Sequence, residues 1–356
     1  MLVTKPSCYD RFSCLAGACP DTCCAHWQVV IDPESLAFYW DLRGNLGEQV
    51  RDAIETVGGE SCFRLKDGKC VLLSPEGLCP IQRELGHGCL CAICRSYPRF
   101  TTEIGARREL GLSLSCPEAA RLILCAEEPL TLTTERTDEP MTDLHELSPE
   151  LILALRELRS ACLAAAQDRT VPFSLRCVRV LRLCAPVAEQ AKKGRDRTLS
   201  AALEAGRAQT ETPVRAAGDD GTAHFFRALR GALEALEPLQ PAFRARLLLA
   251  LDAPAAGPWP DLGTLWEQLL CYGVYKYFPR AAFDRAIWPA AVFCVSLPFL
   301  LRQLLAAESG DALTLCWQLS RELEHSEENM AALLRAFSRR AFRPAALTSI
   351  LAAIPG

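Results

Sequence analysis

The sequence predicts a mainly α protein in two unequal parts, a loop-rich, cysteine-rich N-terminal domain followed by an all-α C-terminal domain. Three observations carry this. Thirteen of the nineteen cysteines lie in the first 125 residues, among glycines and prolines that interrupt regular structure. From Ser148 the composition turns to Ala, Leu, Arg and Glu with apolar residues at helical spacing, as in "SPELILALRELRSACLAAAQ". No alternation of strand and helix segments and no G-x-G-x-x-G loop marks a doubly wound nucleotide-binding fold. The boundaries read as residues 1–127 for the cysteine-rich domain, 128–149 for an acidic connector rich in Thr and Pro, and 150–356 for the helical domain.

Within the first part, "PESLAFYWDL" predicts a helix with Asp32 as N-cap and Pro33 at the first helical position. "GEQVRDAIETV" predicts a second. "FRLKDGKCVLL" sets a DG turn between two short apolar runs and predicts a hairpin. "CPEAARLILCA" starts a further helix at Pro117. In the second part helices are expected over "SLRCVRVLRLCAPVAEQ", "TLSAALEAGRA", "AHFFRALRGALEAL" and "ALTSILAAI", with a flexible stretch at "QTETPVRAAGDDGT". The run "AIWPAAVFCVSLPFLL" is broken by Pro289 and Pro298 and flanked by Arg285 and Arg302. It predicts a buried helix pair, not a membrane span.

Half of the 356 residues are hydrophobic, enough for a sizeable core. With 39 basic and 43 acidic side chains the net charge is -4, which excludes the basic excess of a bulk nucleic-acid binder. The opening "MLVTKPSCYDRF" has no apolar stretch after its lysine, so no signal peptide is expected and a reducing, cytoplasmic setting follows.

In such a setting clustered thiols point to metal more than to disulfides, and an odd cysteine count forbids complete internal pairing. "FSCLAGACPDTCCAHW" spaces Cys14, Cys19, Cys23 and Cys24 as C-x4-C-x3-C-C. A second group follows: Cys70, Cys79, Cys89, Cys91, Cys94 and Cys116. Thiolates suit zinc or iron–sulfur clusters. Only Cys91 and Cys94 form a C-x2-C knuckle, so no standard finger is matched. The C-x3-C-x2-C pattern of radical enzymes that use S-adenosylmethionine (SAM) fails as well, because His26 stands where its third cysteine would be. Cys162, Cys177, Cys184, Cys271, Cys294 and Cys316 sit in apolar helical patterns and read as small core hydrophobes.

"YDRFSCLAGACPDTCCAHWQVVID", then "KCVLLSPEGLCPIQRELG", "CRSYPRF", "LSLSCPEAARLIL" and finally "SRELEHSEENMAALL" together resemble the flagellin lysine-N-methylase family of the FliB type, in that family's order. A broader group of zinc- or iron-chelating CxxCxxCC proteins shares parts of the cysteine blocks. The resemblance implies SAM-dependent methylation of lysine side chains on flagellin, with a cysteine-bound centre, a [4Fe–4S] cluster or alternatively zinc. It implies Cys14, Cys19, Cys23, Cys24, Cys70, Cys79, Cys94 and Cys116 as the ligand pool, eight thiols where one cubane needs four. Cys8, Cys62, Cys89, Cys91 and Cys125 are additional to the pattern, with Cys89 and Cys91 as possible substitutes. The other reading is a non-catalytic zinc or iron–sulfur protein: a metal carrier, sensor or redox module.

Methyl transfer needs a neutral lysine amine aligned behind the sulfonium methyl. In "SRELEHSEEN", Glu322, His325 and Asn329 fall at i, i+3 and i+7 and would share a helix face as proton acceptor or positioning groups, unless Ser326 caps a new helix. "CYGVYKYFPR" offers Tyr272, Tyr275 and Tyr277 for an aromatic slot around a lysine stem or a sulfonium, or else for core packing. Tyr275 joins the catalytic candidates on that ground. Arg95, Tyr97 and Arg99 of "CRSYPRF" are candidates for holding the SAM carboxylate or balancing an anionic cluster.

Overall fold

The computed structural model describes residues 1–140, 147–253 and 255–355. The cysteine-rich part contains β1 (Leu2–Pro6), α1 (Pro33–Asp41), α2 (Gly44–Asp52), β2 (Ile54–Val57), β3 (Glu60–Phe63), β4 (Leu65–Lys66) and β5 (Lys69–Cys70). It continues with α3 (Pro80–Leu85), α4 (Ala92–Ser96), β6 (Arg99–Ile104), β7 (Arg107–Leu112), α5 (Pro117–Leu124) and β8 (Leu132–Arg136). The helical part runs α6 (Pro149–Gln167), α7 (Phe173–Lys192), α8 (Leu199–Thr210), α9 (Asp219–Glu234), α10 (Pro241–Asp252) and α11 (Leu265–Tyr277). It ends with α12 (Ala281–Asp284), α13 (Ile287–Ala307), α14 (Ala312–Glu324), α15 (Glu327–Phe337) and α16 (Pro344–Ala352).

Local chemistry explains the starts. The Asp32 carboxylate accepts from Ser35 N ahead of Pro33, and the Ser148 hydroxyl accepts from Leu151 N ahead of Pro149. The DG turn joins β4 to β5 with positive φ at both Asp67 and Gly68, the backbone that a two-residue hairpin turn requires. The sequence pattern misassigns "GEQVRDAIETV" as one helix. It divides into the end of α2 and strand β2, because Ile54, Thr56 and Val57 pair with β3 and stiff β-branched side chains fit a pleated ladder.

Residues 128–149 are more than a connector. β8 lies within them and pairs antiparallel with β1 along all five residues, from Leu2 opposite Arg136 to Pro6 opposite Leu132. The acidic, Thr-rich composition hid a solvated edge strand with most of its side chains exposed. Residues 141–146 of the expected connector lie outside the described residues. β1 also pairs parallel with β7, and β7 antiparallel with β6, giving a mixed sheet in the order β6-β7-β1-β8.

This sheet joins the helices more closely than it joins the cysteine loops. Ile104, Leu112 and Leu114 share one continuous apolar core with α5, α6, α7, α11 and α13. A smaller, separate core gathers Val29, Ile31, Tyr39, Val50, Phe63, Leu72, Ile81 and Leu90 around several cysteines. From α11 the Tyr275 hydroxyl donates to the carbonyls of Leu110 at 2.7 Å and Thr4 at 3.2 Å, so it fastens the helix across β7 and β1. Arg159 of α6 pairs with Glu109 of β7 in the same layer.

The apolar run 286–301 belongs to one helix, not a pair. α13 runs unbroken through Pro298, buried among α7, α10, α11, α14 and α15. Pro289 falls in its first turn, where no N–H is needed. Packing on all sides outweighs the one hydrogen bond that Pro298 cannot make. Among the described residues α13 is long and apolar enough to cross a membrane, but 83% of that apolar window is buried inside the protein. Gly273 permits the close approach of α11, since a Cβ there would meet Cys294 of α13 at 3.1 Å.

The C-terminal helices are also tied by a buried ion pair. Glu322 of α14 meets the Arg244 guanidinium of α10 at 2.6 Å, with the Glu322 side chain 0% exposed, and accepts from Gln240 N at 2.7 Å. Removing one partner leaves the other charge buried and alone. Glu322→Ala is expected to lower stability by roughly 3–5 kcal/mol, read as a reduced urea midpoint with an unchanged slope.

Candidate metal centre and its docking to the helices

The loop carrying Cys14, Cys19 and Cys23 joins neither apolar core and is held from outside. Two residues at the end of α14 do most of the holding. Arg321, 1% exposed, donates to Asp21 Oδ2 at 2.5 Å and to the Ser115 carbonyl at 3.2 Å. Asp21 stands two residues before Cys23, and Ser115 one before Cys116, so one guanidinium joins both cysteine-bearing segments. His325 closes α14 and packs against Trp27 at 5.3 Å and Tyr97 at 5.9 Å between ring centroids. Trp27 in turn donates its indole N–H to the Cys23 carbonyl at 2.7 Å. The Tyr97 hydroxyl bonds with that of Ser115 at 3.0 Å.

The cysteines fall into two neighbourhoods. Cys24, Cys70, Cys79, Cys89, Cys91 and Cys94 border or join the small core, whereas Cys116 belongs to the large one. Cys70 N donates to the Cys24 carbonyl at 2.8 Å beside a bridge between Ala25 and Lys69. Cys79 and Cys91 precede the first turns of α3 and α4. The Cys91 and Cys94 thiols hydrogen-bond, as do those of Cys23 and Cys24. In the latter pair the bond from Cys23 and a second from Thr22 favour the Cys24 thiolate, while Cys23 is driven up by its anionic neighbour and by burial. Burial pushes Cys70 up to about 12 and Cys116 up to about 11.

Among the described residues no three His, Cys, Asp or Glu side chains converge closely enough to hold a single ion. A multi-iron cluster spaces its thiolates more widely than one ion does. The donor chemistry is soft, of the kind that both iron–sulfur clusters and zinc take. Cys91, outside the resemblance-derived pool, lies in the group. Its C-x2-C spacing to Cys94 was the available signal. Cys8, Cys62 and Cys125 lie elsewhere: Cys8 in the large core, Cys62 on β3 and Cys125 after α5.

Apart from the contact of His325 with Tyr97, the other candidate residues do not converge. Asn329 caps the neighbouring loop, accepting from Glu237 N at 2.9 Å and donating to its carbonyl at 2.8 Å. Glu322 faces Arg244, Tyr275 faces the sheet and His325 faces the cysteine loop. The shared helix face over 322–329 is absent, because α14 stops at Glu324 and Ser326 caps α15 by accepting from Asn329 N at 3.1 Å. Arg95 donates to the Gly88 and Leu90 carbonyls, and Arg99 to the Phe12 carbonyl while lying over the Tyr9 and Phe12 rings.

The aromatic slot of α11 exists but is filled by the chain itself. The Lys276 ammonium lies 5.2–5.4 Å from the ring centres of Phe100, Tyr272 and Tyr277. It pairs with Glu324 at 2.5 Å and donates to the Tyr272 hydroxyl at 2.9 Å. Burial would raise the Glu324 carboxyl, yet Lys276 and the tyrosine hydroxyls hold it below the ordinary value. The sequence reading missed Glu324, Arg321 and Asp21, since nothing in their local spacing distinguishes them from surface charges.

Among the described residues, two of the clefts wide enough for a small molecule adjoin the candidate residues. One, of about 760 Å3, is lined by Cys19, Asp21, Lys66, Asp67, Lys69 and Cys70, between the two cysteine neighbourhoods. The other, of about 660 Å3, has Tyr277, Asp284, Glu324, Glu327 and Glu328 on its walls together with Arg280 and Arg335.

The site thus defines a class: a protein of clustered thiols braced by the end of a helix in a larger α body. Comparison with known proteins narrows it. The chain is 28% identical over 145 residues to the lysine-N-methylase of Salmonella typhimurium strain LT2, a match covering 37% of this chain and 34% of that one. The lysine-N-methylase of Salmonella choleraesuis matches equally, at 28% over 145 residues. The flagellar biosynthetic protein FliU of Salmonella muenchen is 28% identical over 150 residues, 38% of this chain and 84% of that protein. The match spans about a third of the length of the two lysine-N-methylases. No protein-family model and no solved structure matches the chain. The resemblance to the flagellin lysine-N-methylase family is borne out at family level.

The docking contact carries a pH signature. Burial and the nearby Arg321 push the His325 imidazole down to about 3, whereas an unfolded histidine takes its proton near 6.5. Between those values the unfolded chain binds more protons, so stability falls as pH is lowered through the window. His325→Gln is expected to flatten that fall by up to about 1.4 kcal/mol per pH unit, measured by urea unfolding at a series of pH values.

Proposed function

We propose that this protein is a SAM-dependent N-methyltransferase acting on lysine side chains of flagellin in the cytoplasm, with a cysteine-ligated iron–sulfur centre. The relation to the lysine-N-methylases carries the reading, and the thiols docked on α14 support it chemically. In the reaction the neutral lysine amine attacks the sulfonium methyl. A nitrogen–carbon bond forms, the sulfur–carbon bond breaks, S-adenosylhomocysteine leaves, and the amine sheds one proton.

The thiols that would hold the centre are drawn from Cys14, Cys19, Cys23, Cys24, Cys70, Cys79, Cys91, Cys94 and Cys116. When bound it would supply a rigid anchor for the cysteine segments, and a soft electrophilic face. The cleft lined by Cys19, Asp21, Lys66, Lys69 and Cys70 is of a size to admit SAM, with Lys66 and Lys69 available to a carboxylate. The cleft beside α12 and α15 suits a cationic lysine side chain: apart from Glu324, which Lys276 already neutralises, its three carboxylates outnumber two guanidiniums.

One observation favours the non-catalytic reading as a metal carrier, sensor or redox module. Glu322, Asn329 and Tyr275 are committed to internal partners. The deciding experiment is intact-protein mass spectrometry of flagellin co-expressed with and without the protein, so that the cell loads the centre. Added methyl increments only in the presence of the protein are expected. Unshifted flagellin beside soluble, metal-loaded protein would favour the non-catalytic reading.

A further inference from the structure

We propose that the cleft beside α12 and α15 takes the substrate lysine as a neutral amine hydrogen-bonded to Glu324, with Lys276 as the positioning residue whose charge makes that amine give up its proton. This rests on the reading that lysine side chains are the substrate, and names the groups that ready one for attack.

The two oxygens of Glu324 are in different circumstances. Oε2 receives the Lys276 ammonium at 2.5 Å and the Tyr272 hydroxyl at 2.6 Å. Oε1 is buried and has no hydrogen-bond partner. The Tyr277 hydroxyl favours the Glu324 charge from nearby but makes no bond to Oε1. The Glu324 side chain is 1% exposed, and an acceptor buried without its bond is costly. Glu324 and Tyr277 both stand on the wall of the cleft of about 660 Å3, so a donor entering there can supply the missing bond. Pro289, Met330 and Leu334 on the same walls suit the butyl stem of a lysine.

Charge then selects the form of the amine. Asp284, Glu327 and Glu328 outnumber Arg280 and Arg335 on the rim and draw an ammonium in. All five are exposed, so solvent and salt weaken their hold. At Glu324 the balance differs. Its pair with Lys276 carries no net charge, and burial penalises a further cation. An ammonium at Oε1 would share one carboxylate with the Lys276 ammonium. The neutral amine meets neither cost: it donates one N–H to Oε1, keeps its lone pair for the sulfonium methyl, and leaves its proton to solvent. The other titratable groups nearby add no charge. Burial and the Glu324 charge keep Tyr272 and Tyr277 as hydroxyls, burial keeps Cys294 a thiol, and burial with Arg321 keeps His325 neutral.

The test is carbon-13 NMR of Nα-acetyl-lysine amide, labelled at the ε-carbon and added to the full-length protein over a range of pH. The ε-carbon shift reports whether the amine is charged. Free in solution the amine loses its proton near about 10.4. Bound to wild type it is expected to lose it at least about one pH unit lower. Glu327→Gln with Glu328→Gln should weaken binding several-fold and leave the bound midpoint lowered. Lys276→Gln uncovers the Glu324 charge, so the bound midpoint should rise above that of the free amine. A wild-type midpoint at or above the free value overturns the proposal. So does a probe that fails to bind, or whose binding the rim variant leaves intact.

Circular dichroism checks folding. Glu327 and Glu328 are exposed, so their variant is expected to fold even if Lys276→Gln, which leaves a buried charge alone, does not. The wild-type midpoint and the rim variant then decide. Flagellin methylated by a protein that leaves the probe's midpoint unshifted would sink this inference and leave the proposed function standing. A lowered midpoint beside unmethylated flagellin would leave the amine site standing and sink the proposed function.

Discussion

The structure depends on the grip of one helix end on the loop of Cys14, Cys19 and Cys23, which joins neither apolar core. Arg321 and His325, four residues apart near the end of α14, face the cysteine segments. The arginine is fully buried, and its charge is tolerable only because Asp21 and the Ser115 carbonyl receive it. The histidine remains neutral because burial and that same arginine oppose its proton. An ion pair and an uncharged aromatic ring thus lie side by side, and the charge of the first helps keep the second neutral.

From this contact the rest of the site follows. Trp27, held against His325, positions the Cys23 carbonyl, while Tyr97 braces Ser115 and with it the approach to Cys116. The small core adds Cys24, Cys70, Cys79, Cys91 and Cys94 from below. Burial raises Cys19, Cys70, Cys79 and Cys116, whereas their neighbours lower Cys24 and Cys91. A metal bound under the proposed reading would displace thiol protons, and the free energy of doing so would be shared with the ordering of the loops. The grip of α14 brings the segments together beforehand and reduces that ordering cost.

The helices were legible because their signals are local. Apolar spacing, the capping Asp32 and Ser148, and Pro33, Pro117 and Pro149 at first turns each act within a few residues. The DG hairpin was legible for the same reason. β8 was not, since its exposed side chains give no alternation and its pairing with β1 spans more than 120 residues of chain. The 322–329 segment was half legible: the Ser326 cap is local, but Glu322 seeks Arg244 and Asn329 seeks the Glu237 backbone, partners far off in sequence. The three tyrosines of α11 separate likewise, with Tyr275 on the sheet and Tyr272 and Tyr277 around Lys276.

By itself the sequence determined a cysteine-rich front, a helix-rich remainder, and a resemblance to the lysine-N-methylases. These depend on residue type and near-neighbour spacing, which survive without knowledge of contacts. Only the tertiary structure decided which cysteines keep company, that Cys91 joins them, that the aromatic slot holds the chain's own lysine, and that Arg321 and Asp21 unite segments 300 residues apart. The physical reason is that a buried charge or thiol takes its properties from whatever is folded against it. That neighbourhood is set by long-range packing, which the local pattern of the chain does not encode.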